Sequence, residues 1–359
     1  MKINQVLPAI SYGDAVSSDA IEIKRSLEYM GYSSEIYAKY IHPKCSKYVK
    51  PLSDYNGNSE NLLFYHFSLA GLDVTDFVKC LPDTKALIYH NITPPEYFND
   101  YDANLSYMCS KGRAELNAIC SDFYLGIGVS EYNRVELNKI GFKRTDVLPI
   151  IVDFNKYMEY DIELANDLSR NSTVNFLFVG RIAPNKMHID IIKTFYYYNK
   201  YINNNSRLFL VGDKQIARYV LKIEDKIKEL GLSDSVFLVG MVPDKKLASY
   251  YRSAHIFLCM SEHEGFCVPL LEAMYFRIPV IAYASTGIPY TLNDAGILLH
   301  KKNHIEIAEL ANIIITDKHI SDKLVKKQEQ RCKEFNRDRI CPKLNELIKR
   351  IIAAKRDPL

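Results

Sequence analysis

Residues 256–274, IFLCMSEHEGFCVPLLEAM, contain the pattern that decides the fold. The first five residues form a short apolar run that predicts a buried strand, and Pro269 suits the first turn of a helix after it. Gly265 lies in the connecting turn, where we expect a backbone conformation that most other residues resist. A strand, a glycine turn and a helix in this order predict one unit of a parallel βαβ sheet.

The same alternation of apolar runs and helical patterns extends through both halves of the chain. Helical spacing is clearest in Ser18–Met30, which Gly31 ends in the manner of a C-cap residue. The predicted strands of the first half are Ile3–Pro8, Leu62–Phe67, Ala86–His90, Phe123–Val129 and Thr145–Ile150. Those of the second half are Val174–Val179, Arg207–Val211, Val236–Val239, Ile256–Met260 and Val280–Tyr283. This order of elements predicts an α/β fold with two parallel sheets.

A polar segment around residues 149–172 interrupts the alternation and predicts a domain boundary. We therefore expect one Rossmann-like domain over residues 1–165 and a second over residues 166–335. Residues 336–359 have a helical pattern with no strand after them, and we expect this helix to pack back across the first domain. Two similar α/β domains imply a cleft between them.

Composition excludes several classes of protein. The 359 residues are 48% hydrophobic and 25% charged, which excludes disorder over the whole chain. A formal charge of +3 is too balanced for a protein that coats nucleic acid. The charge is uneven, however, since residues 1–165 have a net charge of −6 and residues 166–359 one of +9. The second half is thus the better candidate for binding an anion.

Cysteine usage and hydropathy predict a cytoplasmic protein. Eight cysteines occur without a CxxC pair, and residues 1–10 lack the pattern of a secretory leader. No run approaches the roughly 18–20 apolar residues that cross a bilayer. Residues 323–356 have 12 Lys and Arg against 4 Asp and Glu. This segment is either a solvated helix or one that also contacts anionic lipid on the inner face of the cell membrane.

The turn after the strand in residues 256–260 is the first candidate site. Ligands of open α/β sheets bind at the carboxyl ends of the strands, where Glu264 lies. The free N–H groups of a helix that begins near Pro269 suit a phosphate, and the carboxylates of Glu264 and Glu272 suit sugar hydroxyls. The residues expected to approach the ligand through their backbone are Gly265, Phe266, Cys267 and Val268.

A second strand and glycine turn add cationic groups. Gly180 follows the run Val174–Val179, and Arg181 and Lys186 follow the glycine five residues apart. Both side chains are able to neutralise a diphosphate. Either segment alone is ordinary, because charged residues on a helix usually form a solvated face. Two such segments at strand ends of one domain predict an anion site.

Together these residues resemble the retaining GT-B glycosyltransferases of family 4. Glu264 and Glu272 match the family's E-x7-E signature, and Gly180, Arg181 and Lys186 match its phosphate-binding motif. Residues 294–299, DAGILL, resemble a further family strand, and the resemblance covers essentially the whole chain. It implies the GT-B fold, in which two Rossmann-like parallel-sheet domains face a central cleft.

The resemblance also implies roles in the second domain. Arg181 and Lys186 would hold the diphosphate of a nucleotide sugar and stabilise its charge as it leaves. Glu272 would bind the ribose hydroxyls, and Glu264 would bind the donor sugar. The cationic side chains make a divalent ion unnecessary, so we expect no metal and no cofactor besides the nucleotide sugar. Met187 stands where a glycine is common in the family.

In the first domain the resemblance points to a histidine and a glycine. His90, in the stretch HNITPP, resembles the family's cleft histidine, which contacts the donor sugar and shapes the reaction centre. Gly13 matches a glycine that lets the backbone approach donor and acceptor. Asp14 is either a ligand of an acceptor hydroxyl or an ordinary turn residue. His66 also ends a strand, and a structural role and a role in the cleft are both open for it.

The expected function is therefore retaining transfer of a hexose from a UDP- or GDP-sugar to a saccharide acceptor. The HNITPP stretch resembles bacterial transferases that build surface polysaccharides such as the O-antigen of lipopolysaccharide, so the expected acceptor is a lipid-linked glycan. The alternatives are a phosphorylase or a nucleotide-sugar epimerase of the same fold, and a degenerate, non-catalytic assembly subunit.

Overall fold

The computed structural model describes residues 1–356, without the side chains of residues 171 and 354–356. The strands within this part of the chain are β1 (Ile3–Ile10), β2 (Ile36–Ile41), β3 (Val49–Pro51), β4 (Leu62–Phe67), β5 (Thr84–Tyr89), β6 (Leu125–Gly128), β7 (Thr145–Val147), β8 (Val174–Val179), β9 (Ser206–Val211), β10 (Val236–Gly240), β11 (Ile256–Cys259), β12 (Val280–Tyr283) and β13 (Ile297–Leu299). The α-helices are α1 (Ala15–Tyr29), α2 (Asp73–Cys80), α3 (Ala103–Ile119), α4 (Glu131–Ile140), α5 (Ile162–Leu168), α6 (His188–Tyr201), α7 (Ala217–Glu229), α8 (Asp244–Ser253), α9 (Val268–Tyr275), α10 (Ile288–Leu292), α11 (His304–Thr316), α12 (Lys318–Lys333) and α13 (Arg337–Arg356).

The strands form two separate parallel sheets. The first has the order β3-β2-β1-β4-β5-β6-β7, and the second has the order β10-β9-β8-β11-β12-β13. In each sheet the first strand of the unit lies in the middle and the chain then proceeds outward in both directions, which is the doubly wound Rossmann arrangement. The points where the direction changes are β1–β4 and β8–β11. Ligands of this fold bind at the carboxyl ends of such strand pairs.

Contacts divide the chain into two compact units. The first contains residues 1–96, 104–152 and those from Glu334 onward, and the second contains 97–103 and 153–333. The division thus falls at Val152–Asp153, whereas the polar composition predicts it at residues 165–166. Asp161, in the intervening stretch, receives a hydrogen bond from the Ser249 hydroxyl, and its own N–H lies 3.0 Å from that oxygen. Polar composition marks the connection, but these contacts assign it to the second unit.

The last helix packs on the first unit. The Tyr32 hydroxyl donates to Asn345 Oδ1 at 2.9 Å, and Arg337 donates to Glu22 at 2.5 Å. Arg350 forms an ion pair with Asp146, which follows β6 in the chain and lies in β7. Part of the positive charge of α13 is therefore neutralised by acidic side chains of its own unit.

The sequence pattern places most strands within one or two residues of their observed bounds. It misses β2 and β3, which continue the first sheet to its edge. In Ile36–Ile41 the charged Lys39 interrupts the apolar run, and the three-residue β3 includes Pro51. Short edge strands with Lys and Pro are poorly marked by hydrophobicity. Among the described residues, the helices include none with the length and apolar content needed to cross a membrane.

Candidate functional site

The candidate anion site lies where β8 and β11 end side by side. Phe176 and Leu177 of β8 pair in register with Ile256 and Phe257 of β11. The two loops that follow these strands therefore leave the same edge of the sheet, at its topological switch point. They bring together the two predicted motifs, which are 78 residues apart in the chain at Lys186 and Glu264.

Lys186 and Glu264 form a buried ion pair. The Lys186 Nζ lies 2.7 Å from Glu264 Oε1 and 2.6 Å from Oε2. The side chains are only 18% and 8% exposed. Burial disfavours the charged ammonium, but the adjacent Glu264 carboxylate outweighs burial, and the pKa of Lys186 is raised. The site therefore holds a fixed positive charge at neutral pH.

Two residues with left-handed backbone conformations shape these loops. Met187, the residue before α6, has φ 53° and ψ 45°, a conformation that glycine adopts more readily than other residues. Cys267, the N-cap of α9, has φ 70° and ψ 66°. The expectation that Gly265 supplies the unusual turn was wrong, because the positive φ of this loop falls on Cys267. Pro269 does lie in the first turn of α9, as predicted.

Close backbone approach requires glycine at two further positions, Gly212 and Gly287, which no motif marks. A Cβ atom at Gly212, after β9, would lie 1.9 Å from the carbonyl oxygen of Gly180. A Cβ atom at Gly287, after β12, would lie 2.3 Å from the carbonyl oxygen of Gly265. The loops after β9 and β12 therefore contact the backbone of the two glycine turns of the candidate site directly, with no room for a side chain between them.

The backbone of Glu264 is anchored by the loop after β12. Its N–H lies 2.8 Å from Thr286 Oγ1, the same hydroxyl donates to its carbonyl oxygen, and Gly287 N–H donates to that oxygen at 3.0 Å. Thr286 was not predicted as a site residue. It is marked in the sequence only by the adjacent Gly287 and Pro289.

The remaining predicted residues of the second unit flank this pair. Arg181 is exposed and Gly180 is half-buried at the end of β8. Phe266 is buried, and Val268 begins α9. A hydrogen bond with Cys259 and burial raise the pKa of the Cys267 thiol well above its usual value. Cys267 therefore stays a neutral thiol, and its backbone N–H is the group that suits an anion.

Glu272, the second glutamate of the signature, lies in a separate buried cluster. Its Oε1 accepts hydrogen bonds from Tyr157 at 2.6 Å and Lys156 at 3.1 Å, and its Oε2 accepts one from Tyr251 at 2.8 Å. Burial raises its pKa, but the charge of Lys156 and the three hydrogen bonds outweigh burial, and the net pKa is lowered. Glu272 is thus a carboxylate with three donors. The sequence pattern marks none of these three donors, because they lie in the polar connection and on α8.

The predicted residues of the first unit lie at the carboxyl ends of its central strands. Gly13, after β1, has φ 78°. Asp14 is the N-cap of α1, where its carboxylate accepts from the Ser17 N–H at 3.0 Å and the Ser17 hydroxyl at 2.8 Å. His90 directly follows β5, and its Nε2 is 2.9 Å from Nδ1 of His66. His66 in turn contacts Gln5 of β1.

Among the residues that the structure describes, two groups of side chains have the chemistry to bind a metal ion. Asp19, His66 and His90 bring one ligand atom each within 4.8 Å of one another, as do Cys259, Glu264 and Cys267. In the second group the Lys186 ammonium already contacts both oxygens of Glu264, where it supplies the positive charge that a metal would bring. Asp19 was not predicted, and its burial raises its pKa to about 8.

Comparison with known sequences finds a matching family model and several curated relatives. Residues 162–338 match the model of the family glycosyl transferases group 1. A relative in Campylobacter jejuni, "GalNAc-alpha-(1->4)-GalNAc-alpha-(1->3)-diNAcBac-PP-undecaprenol alpha-1,4-N-acetyl-D-galactosaminyltransferase", is 27% identical over 48% of this chain and 47% of its own. The amylovoran biosynthesis glycosyltransferase AmsD of Erwinia amylovora is 28% identical over 40% of this chain and 39% of its own. The chain thus spans about half, or less, of the length of these curated relatives.

Solved structures share the fold over nearly the whole chain. A sucrose-phosphate synthase from Thermosynechococcus elongatus has a TM-score of 0.75 at 18% identity, covering 99% of this chain and 100% of that one. HepE of Anabaena, solved with UDP-glucose, has a TM-score of 0.74 at 16% identity, covering 96% of this chain and 99% of that one. The predicted fold class, GT-B with two Rossmann-like parallel-sheet domains, is confirmed. Residues 162–338, which include Arg181, Lys186, Glu264 and Glu272, are thus the part of the chain that matches the glycosyl transferases group 1 family.

Proposed function

We propose that the protein transfers a hexose from a UDP- or GDP-sugar to a saccharide acceptor, with retention of the anomeric configuration. One observation carries this proposal, namely the buried Lys186–Glu264 pair at the carboxyl edge of β8 and β11. It combines a fixed cation for a phosphate with a carboxylate for sugar hydroxyls in one site. A nucleotide-diphosphate sugar presents both groups to the protein.

The chemistry that this site favours is departure of a phosphate leaving group. A sugar diphosphate leaves as an anion, so the protein needs to stabilise developing negative charge more than it needs to supply a proton. Lys186, the exposed Arg181 and the N-terminus of α9 are the groups proposed to do so. In the proposed retaining reaction the acceptor hydroxyl attacks the face from which the diphosphate leaves, and the departing phosphate takes its proton.

The proposed nucleoside contact is Glu272. A carboxylate has about four lone-pair positions, and the three donors Lys156, Tyr157 and Tyr251 use three of them. These donors hold the side chain in place, which favours recognition of a ribose hydroxyl by a pre-oriented carboxylate. We propose His90 as the group of the first unit that contacts the donor sugar. We propose Gly13 as the residue at which the backbone approaches donor and acceptor. Asp14 is the weakest of the proposed contacts, because capping of α1 already accounts for its carboxylate.

For the acceptor we propose a lipid-linked glycan of a bacterial surface polysaccharide, bound on the cytoplasmic side of the membrane. The name of the Campylobacter relative specifies an undecaprenol-linked glycan, and AmsD is named for amylovoran biosynthesis. The exposed basic residues Arg339 and Lys349 of α13 would favour contact with anionic lipid. Flotation with phosphatidylglycerol vesicles, but not with phosphatidylcholine vesicles, would support membrane contact. Equal behaviour with both would remove this part of the proposal.

The experiment that tests the proposed function is a thermal-shift panel of UDP, GDP, ADP and their sugars, followed by transfer assays with the stabilising donor. A ligand that binds only the native state raises its apparent stability. We expect one nucleotide family to raise the melting temperature and its sugar to be transferred. Epimerisation or hydrolysis without acceptor would favour the epimerase, phosphorolysis the phosphorylase, and absence of any nucleotide binding the assembly subunit.

A further inference from the structure

A row of three polar side chains crosses the centre of the first sheet. Gln5 lies on β1, His66 on β4 and His90 directly after β5, and these three strands are neighbours in the sheet. The Gln5 Oε1 is 2.8 Å from His66 Nε2, and His66 Nδ1 is 2.9 Å from His90 Nε2. Gln5 and His66 are almost completely buried. The row is therefore a hydrogen-bonded chain inside the unit, and its orientation can be deduced from its ends.

The Gln5 end determines which atoms carry protons. The Gln5 Nε2 donates to the carbonyl oxygen of Ala20 at 3.0 Å. Because that carbonyl only accepts, the amide nitrogen must face Ala20, and the amide oxygen must face His66. An amide oxygen only accepts, so Nε2 of His66 carries a hydrogen. In a neutral ring the other nitrogen, Nδ1, then has a lone pair and accepts from Nε2–H of His90.

The surroundings keep both rings neutral. Burial lowers the pKa of His90 to about 3 and, together with the neighbouring His90, lowers that of His66 well below its usual value. Asp19 is the acidic side chain that faces this pair, with Oδ2 4.0 Å from His90 Nε2. Burial raises the pKa of Asp19 to about 8, so that it is mostly protonated at neutral pH. With the Gln5 amide oxygen as the acceptor at one end, neutral rings allow only one direction of donation along the row.

The far end of the row is an acceptor without a donor. His90 Nδ1 is buried and has no hydrogen-bond partner among the residues that the structure describes. Because the hydrogen of the neutral His90 ring is on Nε2, this Nδ1 atom carries a lone pair. Buried acceptors are rarely left unsatisfied in native proteins. A ligand that supplies a donor at this atom would complete the row.

We propose that Gln5 and His66 are positioning residues that fix His90 as the Nε2–H tautomer, so that its Nδ1 accepts a hydrogen bond from a hydroxyl of the carbohydrate substrate. This inference rests on the proposed function, because it takes His90 as the group that contacts the sugar. It adds a constraint on the ligand, since a hydroxyl fits this position and a carboxylate or carbonyl oxygen does not. Gln5 and His66 act through His90 and need no contact with substrate.

A bound metal ion is the competing explanation for the same side chains. It would use Nδ1 of His66, Nε2 of His90 and a carboxylate oxygen of Asp19. These two nitrogens are 2.9 Å apart, and in the tautomers deduced from the Gln5 end they instead share one hydrogen, with His90 as the donor. A metal would require both nitrogens to be deprotonated at once. The two explanations therefore predict different protonation of His90 Nε2.

The first test is nitrogen NMR of the full chain labelled with ¹⁵N-histidine, with the signals of His66 and His90 assigned from His66→Asn and His90→Gln. We expect both rings in the neutral Nε2–H form at pH 7. A His90 ring that is charged, that carries its hydrogen on Nδ1, or that coordinates metal present in stoichiometric amount in the purified protein would overturn the proposal. This readout needs no activity, so it stands apart from failure of the proposed function, which an inactive wild-type protein would show.

The second test uses variants in the transfer assay. His66→Leu removes the acceptor for His90, and we expect the turnover number to fall about tenfold or more while KM for the nucleotide sugar changes little. His66→Asn places an amide oxygen near the position of Nδ1, and it should restore most of the turnover. Tyr65→Phe, one residue away, is the matched control, because it removes a buried hydrogen bond to Thr75. Equal turnover in His66→Leu and the control, or no rescue by His66→Asn, would contradict the assigned role.

Discussion

At the scale of single residues, Lys186 combines burial, a retained charge and two contacts with one carboxylate. If it stabilises the leaving diphosphate, Lys186→Ala should lower the turnover number about 100-fold or more, with a smaller change in KM for the donor. Steady-state kinetics over a range of donor concentrations measures both quantities. Lys200→Ala, an exposed lysine at the end of α6, is the control and should behave as wild type. Unchanged turnover in Lys186→Ala would remove this residue from the leaving-group site.

Asp19 predicts a dependence of stability on pH. Burial raises its pKa from the usual 3.8 to about 8, so the folded state keeps the proton over a range in which the unfolded chain loses it. The folded state then binds more protons than the unfolded state, and the contribution of Asp19 to stability falls as pH rises from about 4 to about 8. The side chain introduced by Asp19→Asn cannot ionise, so this variant does not lose stability at this position as pH rises.

Urea unfolding of Asp19→Asn and wild type at pH 5 and pH 8 measures the effect. We expect the variant to gain stability relative to wild type as pH rises, by an amount on the order of a few kcal/mol. A difference between the two proteins that is the same at both pH values would show that Asp19 does not titrate in this range.

At the scale of elements, the loops that carry the site depend on close backbone contact. A Cβ at Gly212 would lie 1.9 Å from the Gly180 carbonyl oxygen. This oxygen belongs to the backbone, so no flexible side chain could move aside to relieve the contact. We expect Gly212→Ala to destabilise the protein by about 2–4 kcal/mol and to weaken nucleotide binding. Gly231→Ala is the control, since Gly231 also has a positive φ, 64°, but no atom within 4 Å of a Cβ. Equal melting temperatures for the two variants would mean that the contact between these loops is not tight.

The Glu272 cluster joins α9, α8 and the chain before α5 within the second unit. Glu272→Ala would leave two tyrosine hydroxyls and Lys156 without their acceptor, so we expect a loss of about 2–4 kcal/mol of stability together with weaker nucleotide binding. Thermal unfolding and calorimetric titration with the nucleotide measure the two effects separately. Glu309→Ala, an exposed glutamate on α11, should change neither. A variant of normal stability and normal affinity would exclude Glu272 from both roles.

At the scale of the whole molecule, the alternation of apolar runs and helical patterns predicts both sheets because each central strand is buried on two faces. The runs Leu62–Phe67 and Val174–Val179 have the predicted bounds, whereas the edge strand Val49–Pro51 carries no such signal. The E-x7-E and Gly-Arg-Lys motifs predict one candidate site, and the structure brings them together because they follow β11 and β8, which are neighbouring strands. Partners that are distant in the chain could not be predicted. Tyr157 meets Glu272 across 115 residues, and Gln5 has the position of an ordinary core residue in its strand.

A crystal structure of the protein with the nucleotide-diphosphate sugar that stabilises it most would test the proposed donor site. We expect the diphosphate at the carboxyl ends of β8 and β11, with its oxygens within hydrogen-bond distance of Arg181 and Lys186 and the ribose beside Glu272. A ligand bound elsewhere, with the Lys186–Glu264 pair undisturbed and its surroundings vacant, would contradict this proposal.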